Sequence, residues 1–299
     1  MPLDNHRRLL AAGLTALALL VAGCSSSDDS SPSGDTDTTS ADVPQAIVSL
    51  SPTSTEMLYA VGAGDQVVAV DDRSDYPADA PVTDLSGYTP NVEAILGYEP
   101  DLVVANADTA DLVAGLEQAG VETLILPAAE NLDDTYAQIE QLGAVTGHVG
   151  DAAEVVAQMK TDIDEILAGL PARETPLTYY HELDNTFYTV TDDTYIGEIY
   201  SMLGLTSIAT GGDGYPQLSA EYVLEQNPDV IFLADGQCCG VTPEVVAERA
   251  GWGELTAVRD GRVYVLDEDI ASRWGPRVVD LMREVARLVG TIPAAQPTP

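Results

Sequence analysis

Residues 91–105 read NVEAILGYEPDLVVA, a pattern that predicts a short helix followed by a buried strand. Asn91 is a typical N-cap residue, and Glu93 falls in the first turn, where the helix dipole favours negative charge. Pro100 lacks an N–H and restricts the residue before it, so the helix must end there. The apolar run that follows is typical of a strand covered on both faces, as in the parallel sheet of an α/β protein.

The same pattern returns at residues 219–234, which read SAEYVLEQNPDVIFLA. The spacing from Glu93 to Pro100 is repeated from Glu221 to Pro228. Two copies of one helix–Pro-Asp–strand unit predict two similar α/β lobes. The alternative, two unrelated units of a common type, stays open at this point.

The composition limits the classes of protein to which the chain can belong. The chain has 299 residues, of which 45% are hydrophobic, so it can form two lobes with real cores and is not mainly disordered. It carries 12 Lys and Arg against 49 Asp and Glu, a formal net charge of −37. Because binding to nucleic acid depends on cations that neutralise phosphates, this charge argues against a nucleic-acid partner. A highly soluble, solvated surface explains the acidity.

The first 23 residues have the pattern of a signal peptide. A basic start at Arg7 and Arg8 is followed by an apolar run at 9–21 that is short for a membrane span. The run ends in LVAGC at 20–24, which resembles the bacterial lipobox. We therefore expect Cys24 to be lipidated and to anchor the protein to the outer face of the cell membrane. An ordinary secretory signal with a coincidental cysteine is the alternative.

The rest of the chain divides by composition and periodicity. Residues 24–43 are rich in Ser, Asp and Thr and predict a flexible tether. Alternating strands and helices predict an N-terminal lobe at 44–148 and a C-terminal lobe at 172–292, each with a parallel sheet. Apolar residues at helical spacing predict one long bridging helix at 149–171, capped by Asp151, and 293–299 is a tail. A hairpin is expected around Asp260-Gly261.

These features resemble the substrate-binding lipoproteins of ABC importers that carry cobalamin, haem or ferric siderophores. The resemblance runs from about residue 47 to residue 288. Its most specific parts, besides the two repeats, are Ser51-Pro52, Thr55-Glu56, Ser74-Asp75-Tyr76-Pro77, Asp269 and Arg273-Trp274-Gly275-Pro276-Arg277. It implies two Rossmann-like lobes joined by a single long helix, with the ligand in the cleft between them. It also implies a monomer that delivers its ligand to a permease dimer with separate ATPase subunits.

The resemblance also implies roles for individual residues. Glu93 and Glu221 match the acidic residue on each lobe that docks onto the permease; the alternative is that both are only dipole-favoured first-turn acids. The residues expected to contact the ligand are Arg73, Tyr88, Asn106, Phe187, Tyr215, Asp269, Arg273 and Trp274. Aromatic side chains suit the large surface of a metal chelate, and Arg or Asp suit its polar edges.

The adjacent cysteines Cys238 and Cys239 follow the second predicted Pro-Asp strand. Outside the cytoplasm cysteines tend to be oxidised, and with Cys24 lipidated these two have only each other as partners. We expect a vicinal disulfide. Two free thiols are the alternative, and nothing in the resemblance demands the pair.

Two other classes of function compete. The hypothesis that the protein is an enzyme lacks support, because the chain has no Gly-x-Ser-x-Gly, phosphate-binding Gly-rich loop or His-Glu-x-x-His motif. No catalytic residue is therefore expected. A zinc- or manganese-carrying importer component needs two or three cleft histidines, and only His181 is suitably placed, so no metal site is expected. No resident cofactor is expected. Among ligands we favour cobalamin, then a ferric siderophore; haem needs an axial Tyr or His, for which Tyr88 or Tyr215 could serve.

Overall fold

The structure is a computed structural model that describes residues 43–212 and 214–293. The predicted signal peptide, the lipidation site Cys24, nearly all of the tether and nearly all of the tail lie outside these residues. The described part forms two α/β lobes, each built on a four-stranded parallel sheet, which confirms the predicted fold class.

The first lobe contains four strands and four helices. Its strands are β1 (Ile47–Ser49), β2 (Val67–Val70), β3 (Leu102–Ala105) and β4 (Glu122–Ile125). Its helices are α1 (Pro52–Ala60), α2 (Val92–Leu96), α3 (Leu112–Gln118) and α4 (Leu132–Thr146). All strand pairs are parallel, in the order β2-β1-β3-β4.

The 20-residue helix α5 (Val149–Ala168) leads into the second lobe. The strands of that lobe are β5 (Leu177–Glu182), β6 (Leu205–Ser207), β7 (Val230–Leu233) and β8 (Val263–Val265). Its helices are α6 (Tyr195–Met202), α7 (Ala220–Gln226), α8 (Gly236–Cys239), α9 (Pro243–Glu248), α10 (Thr256–Arg259), α11 (Glu268–Ser272) and α12 (Val278–Gly290). The strand order β6-β5-β7-β8 repeats that of the first sheet.

The two repeated segments occupy equivalent places, because each supplies the third strand of its sheet and the helix before it. Both helices are capped as predicted: Asn91 accepts the N–H of Ala94 at 3.2 Å, and Ser219 accepts that of Tyr222 at 3.1 Å. Glu99 and Asn227, each directly before a proline, have φ of 52° and 47°. In both units a left-handed residue followed by proline therefore separates the helix from the strand.

Two local predictions were wrong. Residues around Asp260-Gly261 form no hairpin: α10 precedes the turn, and β8 pairs with β7 in parallel. A four-residue helix and a short strand share the same apolar pattern, so periodicity alone could not separate them. Asp151 does not cap α5, which begins at Val149; its carboxylate instead lies 3.1 Å from Nδ1 of His148.

A continuous apolar core joins the lobes. Ile47 and Met57 of the first lobe, Ile163 of α5, and Tyr200 and Val285 of the second belong to one cluster of buried side chains. Helix α5 packs against α4 on one side and α12 on the other. Among the described residues, no helix has the length and apolar character needed to cross a membrane. Both lobes and α5 therefore contribute side chains to one core.

Candidate functional site

A cavity of about 780 Å³ lies between residues that follow the strands of both lobes. Asp72 and Arg73 lie in the loop after β2, and Asn106 comes directly after β3. From the second lobe, α8 after β7 and α11 after β8 complete the wall. Ligands of open α/β sheets bind at the carboxyl ends of the strands, so this cavity is the candidate site.

The cavity brings together most of the residues expected to contact the ligand. Its lining includes Arg73, Tyr88, Asn106, Asp269, Arg273 and Trp274. Tyr88 is 78% exposed and so presents nearly its whole ring. A Cβ at the neighbouring Gly87 would collide with the carbonyl oxygen of Leu50, so only glycine lets this loop run against the end of β1.

Phe187 and Tyr215 lie outside the lining of this cavity. The ring of Phe187 stacks on Trp252 with centroids 5.6 Å apart, within a cluster of second-lobe side chains. Tyr215 is half exposed, in the loop that pairs with residues 188–191. Ligand contact by these two residues stays a prediction.

Arg273 belongs to a group of charged side chains that joins the lobes, here named the inter-lobe cluster: Glu56, Asp75, Asp269, Arg273 and Arg277. Arg273 donates to Glu56 at 2.8 Å, to Asp269 at 2.6 Å and to Asp75 at 3.2 Å. Arg277 donates from Nε to the other oxygen of Glu56 at 2.8 Å. The terminal nitrogens of Arg273 are thus occupied by protein carboxylates, two of them on the first lobe.

Trp274 is also held across the lobes. Its indole N–H donates to the side-chain oxygen of Gln138 at 3.0 Å, and its carbonyl accepts the hydroxyl of Thr135 at 3.0 Å. Both partners lie on α4 of the first lobe. The aromatic wall at this end of the cavity is therefore fixed before any ligand arrives.

Beneath the first-lobe wall lies a buried chain of hydroxyl groups. The hydroxyl of Thr55 lies 2.8 Å from that of Ser49 and 2.9 Å from that of Ser74. Ser74 in turn donates to the carboxylate of Asp71. Burial raises the pKa of Asp71 above its ordinary value, an effect that the bond from Ser74 partly offsets. These contacts fix the loop that carries Asp72 and Arg73.

Sequence reasoning missed a second buried group, here named the second-lobe cluster: Tyr180, Glu182, Asp235, Arg249 and Trp252. Arg249 binds Glu182 through both terminal nitrogens, at 2.6 and 2.5 Å, and its guanidinium lies 4.7 Å from the centre of the Trp252 ring. Glu182 ends β5, and Asp235 comes two residues after β7. In the sequence, the second-lobe cluster could have been found from the acidic residue at or near the carboxyl end of two predicted strands, those that correspond to β5 and β7.

Asp235 is the unusual member of the second-lobe cluster. Its side chain is fully buried, and neither carboxyl oxygen accepts a hydrogen bond from a donor in the described residues. Burial, followed by repulsion from Glu182, raises the pKa of Asp235 to about 7. One guanidinium therefore faces two carboxyl groups, and burial together with the nearby Glu182 favours the protonated form of Asp235.

Cys238 and Cys239 form a disulfide in α8, and Cys238 lines the cavity. Glu268 accepts the backbone N–H groups of Gln237 and Cys238, the latter at 2.8 Å. The carbonyl of Asp235 accepts the N–H of Cys239 at 3.2 Å. The rim of the cavity is thereby tied to the second-lobe cluster.

Glu93 and Glu221 lie at matching positions in α2 and α7, each in the first turn, and both are exposed. Neither lines the cavity. This placement is compatible both with a docking role and with simple first-turn acids.

Comparison with known proteins adds independent information. A family profile described as "Periplasmic binding protein" matches residues 47–270. The chain is 30% identical to an uncharacterized ABC transporter substrate-binding lipoprotein, YvrC, of Bacillus subtilis, over 93% of this chain and 95% of that protein. It is 30% identical to a cobalamin-binding protein of Halobacterium salinarum, over 81% and 69%. The crystal structure of the periplasmic vitamin B12 binding protein BtuF of Vibrio cholerae is 28% identical, with a TM-score of 0.66 over 84% and 99%.

Proposed function

The chain belongs to the periplasmic binding protein family, and from this premise we propose that it is the extracytoplasmic solute-binding component of an ABC importer. Its ligand is cobalamin or a similar metal chelate, which it delivers to a permease served by separate ATPase subunits. The observation that carries the proposal is the cavity between the lobes, with Tyr88 and Trp274 on its wall. Aromatic surfaces of this kind bind large ring systems at low entropic cost.

Cobalamin is the first candidate ligand for two reasons. The Halobacterium relative is described as cobalamin-binding, and BtuF, which is more than 25% identical, as a vitamin B12 binding protein. The cavity is also rich in groups that suit amide edges, because Asn106 and Arg73 offer N–H donors and Asp72 an acceptor. A corrinoid presents many such amides around a flat centre.

Haem is the second candidate, and one observation favours it. Tyr88 lines the cavity and is largely exposed, so its phenol could supply the axial ligand that haem iron needs. A ferric siderophore already satisfies the coordination of its iron, so it needs no iron ligand from the protein and would contact the same cavity wall.

A titration of the purified mature protein with cyanocobalamin, haemin and several ferric siderophores tests the proposal. Because Trp274 lies on the cavity wall, we expect binding to quench tryptophan fluorescence, with saturation at one equivalent. Cyanocobalamin should bind most tightly. If none of the chelates binds more tightly than millimolar, the proposed function is wrong. If haemin alone binds, with loss of binding in Tyr88→Phe, the second candidate replaces the first.

Delivery to a permease and attachment to the membrane complete the proposal. Glu93 and Glu221 present carboxylates at quasi-symmetric places, which suits a two-fold partner with basic residues. Replacing both with alanine should impair uptake and leave affinity for the ligand near wild type; a loss of affinity would contradict docking.

Cys24→Ser should move the protein out of the membrane fraction, and retention there would contradict lipid anchoring.

A further inference from the structure

The wall of the cavity carries an excess of negative charge. Four carboxylates line it, from Asp72, Asp75, Glu268 and Asp269, against the guanidiniums of Arg73 and Arg273. Arg273 is paired with Asp75 and Asp269 of the wall and shares Glu56 with Arg277. With Glu56 and Arg277 included, five carboxylates still face three guanidiniums. Glu56 is itself buried behind the wall. A bound molecule therefore meets more carboxylate than free cation.

Arg73 is the exception on this wall. It is the only Lys or Arg between residues 44 and 148, and its side chain takes part in none of the ion pairs among the described residues. Its neighbours in sequence and on the wall, Asp72 and Asp75, are both exposed carboxylates. Arg73 can donate to one carbonyl or amide oxygen, but these carboxylates weaken its attraction for an anion.

We propose that the site selects metal chelates that carry no net negative charge. The inference rests on the proposed function and names the ligand class within it: amide-edged corrinoids and neutral or cationic hydroxamate chelates bind, and polyanionic chelates such as ferric tricatecholates are repelled. The surrounding field has the same sign, since the whole chain carries −37. Like-charge juxtaposition of this kind is an effective means of rejecting wrong partners.

Two matched pairs of probes test the selection by charge. The first is cyanocobalamin, which has no net charge, and its monocarboxylate, in which one side-chain amide is hydrolysed. The second is ferrioxamine B, with net charge +1, and its N-succinyl derivative, with net charge −1. In the pair that binds, we expect the anionic member to bind at least about tenfold more weakly at low ionic strength. The difference should shrink in 1 M salt, because salt screens charges on an open wall.

Variants locate the effect at the cavity. Asp72→Asn removes an exposed carboxylate from the lining. The difference in affinity between the neutral or cationic probe and its anionic partner should then shrink about threefold, because one repulsive charge is gone. Glu117→Gln removes one exposed charge from α3, away from the lining, and should leave the penalty unchanged. Equal changes in the two variants would overturn a local origin.

The outcomes separate this inference from the proposed function. If both members of a pair bind with equal affinity, or the anionic member binds more tightly, selection by charge is wrong and capture of chelates stands. If none of the four probes binds but haemin does, selection by charge is wrong, because haemin carries two ionised propionates, and capture of chelates stands. If haemin and the other ferric siderophores also fail to bind, the proposed function fails, and the inference fails with it.

Discussion

The inter-lobe cluster and the second-lobe cluster both pair Arg with Asp and Glu side chains, but they balance these charges differently. In the first, Arg273 and Arg277 converge on Glu56, and each oxygen of that carboxylate accepts at least one N–H. In the second, Arg249 binds Glu182, and Asp235 forms no ion pair with a cation in the part of the chain that the structure describes. Paired charges fix a geometry, whereas an unpaired buried carboxyl group makes the geometry depend on pH.

This difference explains what each cluster does for the cavity. The inter-lobe cluster joins α1 of the first lobe to the segment between α11 and α12 of the second, so it opposes separation of the lobes. Helix α5 and the Trp274 contacts to α4 act in the same direction. The second-lobe cluster lies within one lobe and bears on the rim through Asp235 and α8. We therefore expect a cavity of nearly constant width with a rim that responds to protons.

The largest effect is expected from breaking the inter-lobe cluster with Glu56→Gln. Glu56 is only 3% exposed, and its replacement by Gln leaves two guanidiniums without the negative charge that they share. Removing one partner of a buried ion pair typically costs about 3–5 kcal/mol. Chemical denaturation followed by circular dichroism should show a loss of free energy of unfolding of about 4 kcal/mol.

Glu284→Gln is the matched control for that experiment. Glu284 pairs with Arg287 on the exposed face of α12, where an ion pair contributes less than about 1 kcal/mol. If Glu56→Gln destabilises the protein no more than this control does, the inter-lobe cluster does not hold the lobes together.

A smaller, pH-dependent effect is expected from Asp235→Asn. A carboxyl group whose pKa is raised from its ordinary value to about 7 stabilises the folded state when it is protonated. That contribution is complete below about pH 4 and is lost as the pH rises towards 7. Relative to wild type, the variant should therefore gain stability between pH 4 and pH 7.5, by on the order of 3 kcal/mol.

Asp84→Asn serves as the control for the pH series, because Asp84 is exposed. Its stability curve should run parallel to that of wild type across the whole range. If Asp235→Asn also runs parallel to wild type, Asp235 does not titrate near neutrality, and the proposed contrast between the two clusters disappears.

The fold could be predicted from sequence because its signals are local. The N-caps Asn91 and Ser219 and the apolar strands that follow each Pro-Asp pair are read within a dozen residues. The expected hairpin at Asp260-Gly261 was wrong because four residues before the turn support a helix as well as a strand. The Thr256 N–H bond to Asn227, 29 residues earlier in the chain, helps to fix α10 and is invisible to a local pattern.

The site could be predicted only where position alone decides it. Asn106 follows β3 directly and Arg73 lies in the loop after β2, so the carboxyl-end rule places both on the cavity. Arg273 donates to Glu56, which lies 217 residues away in the sequence. Phe187 stacks on Trp252, which is also distant in the sequence. Such pairings arise from tertiary packing, between the lobes for Arg273 and within the second lobe for Phe187, and the sequence spacing gives no sign of them.

Calorimetric titration of cyanocobalamin into Tyr88→Ala and Tyr98→Ala tests capture in the cavity most directly. Tyr88 lies on the wall, whereas Tyr98 is partly exposed in the turn after α2 and lies outside the lining. Truncation of a central aromatic contact costs about 2 kcal/mol, roughly a thirtyfold loss of affinity. We expect that loss for Tyr88→Ala, with one-to-one binding and unchanged affinity for Tyr98→Ala. Equal affinity in both variants would contradict binding between the lobes.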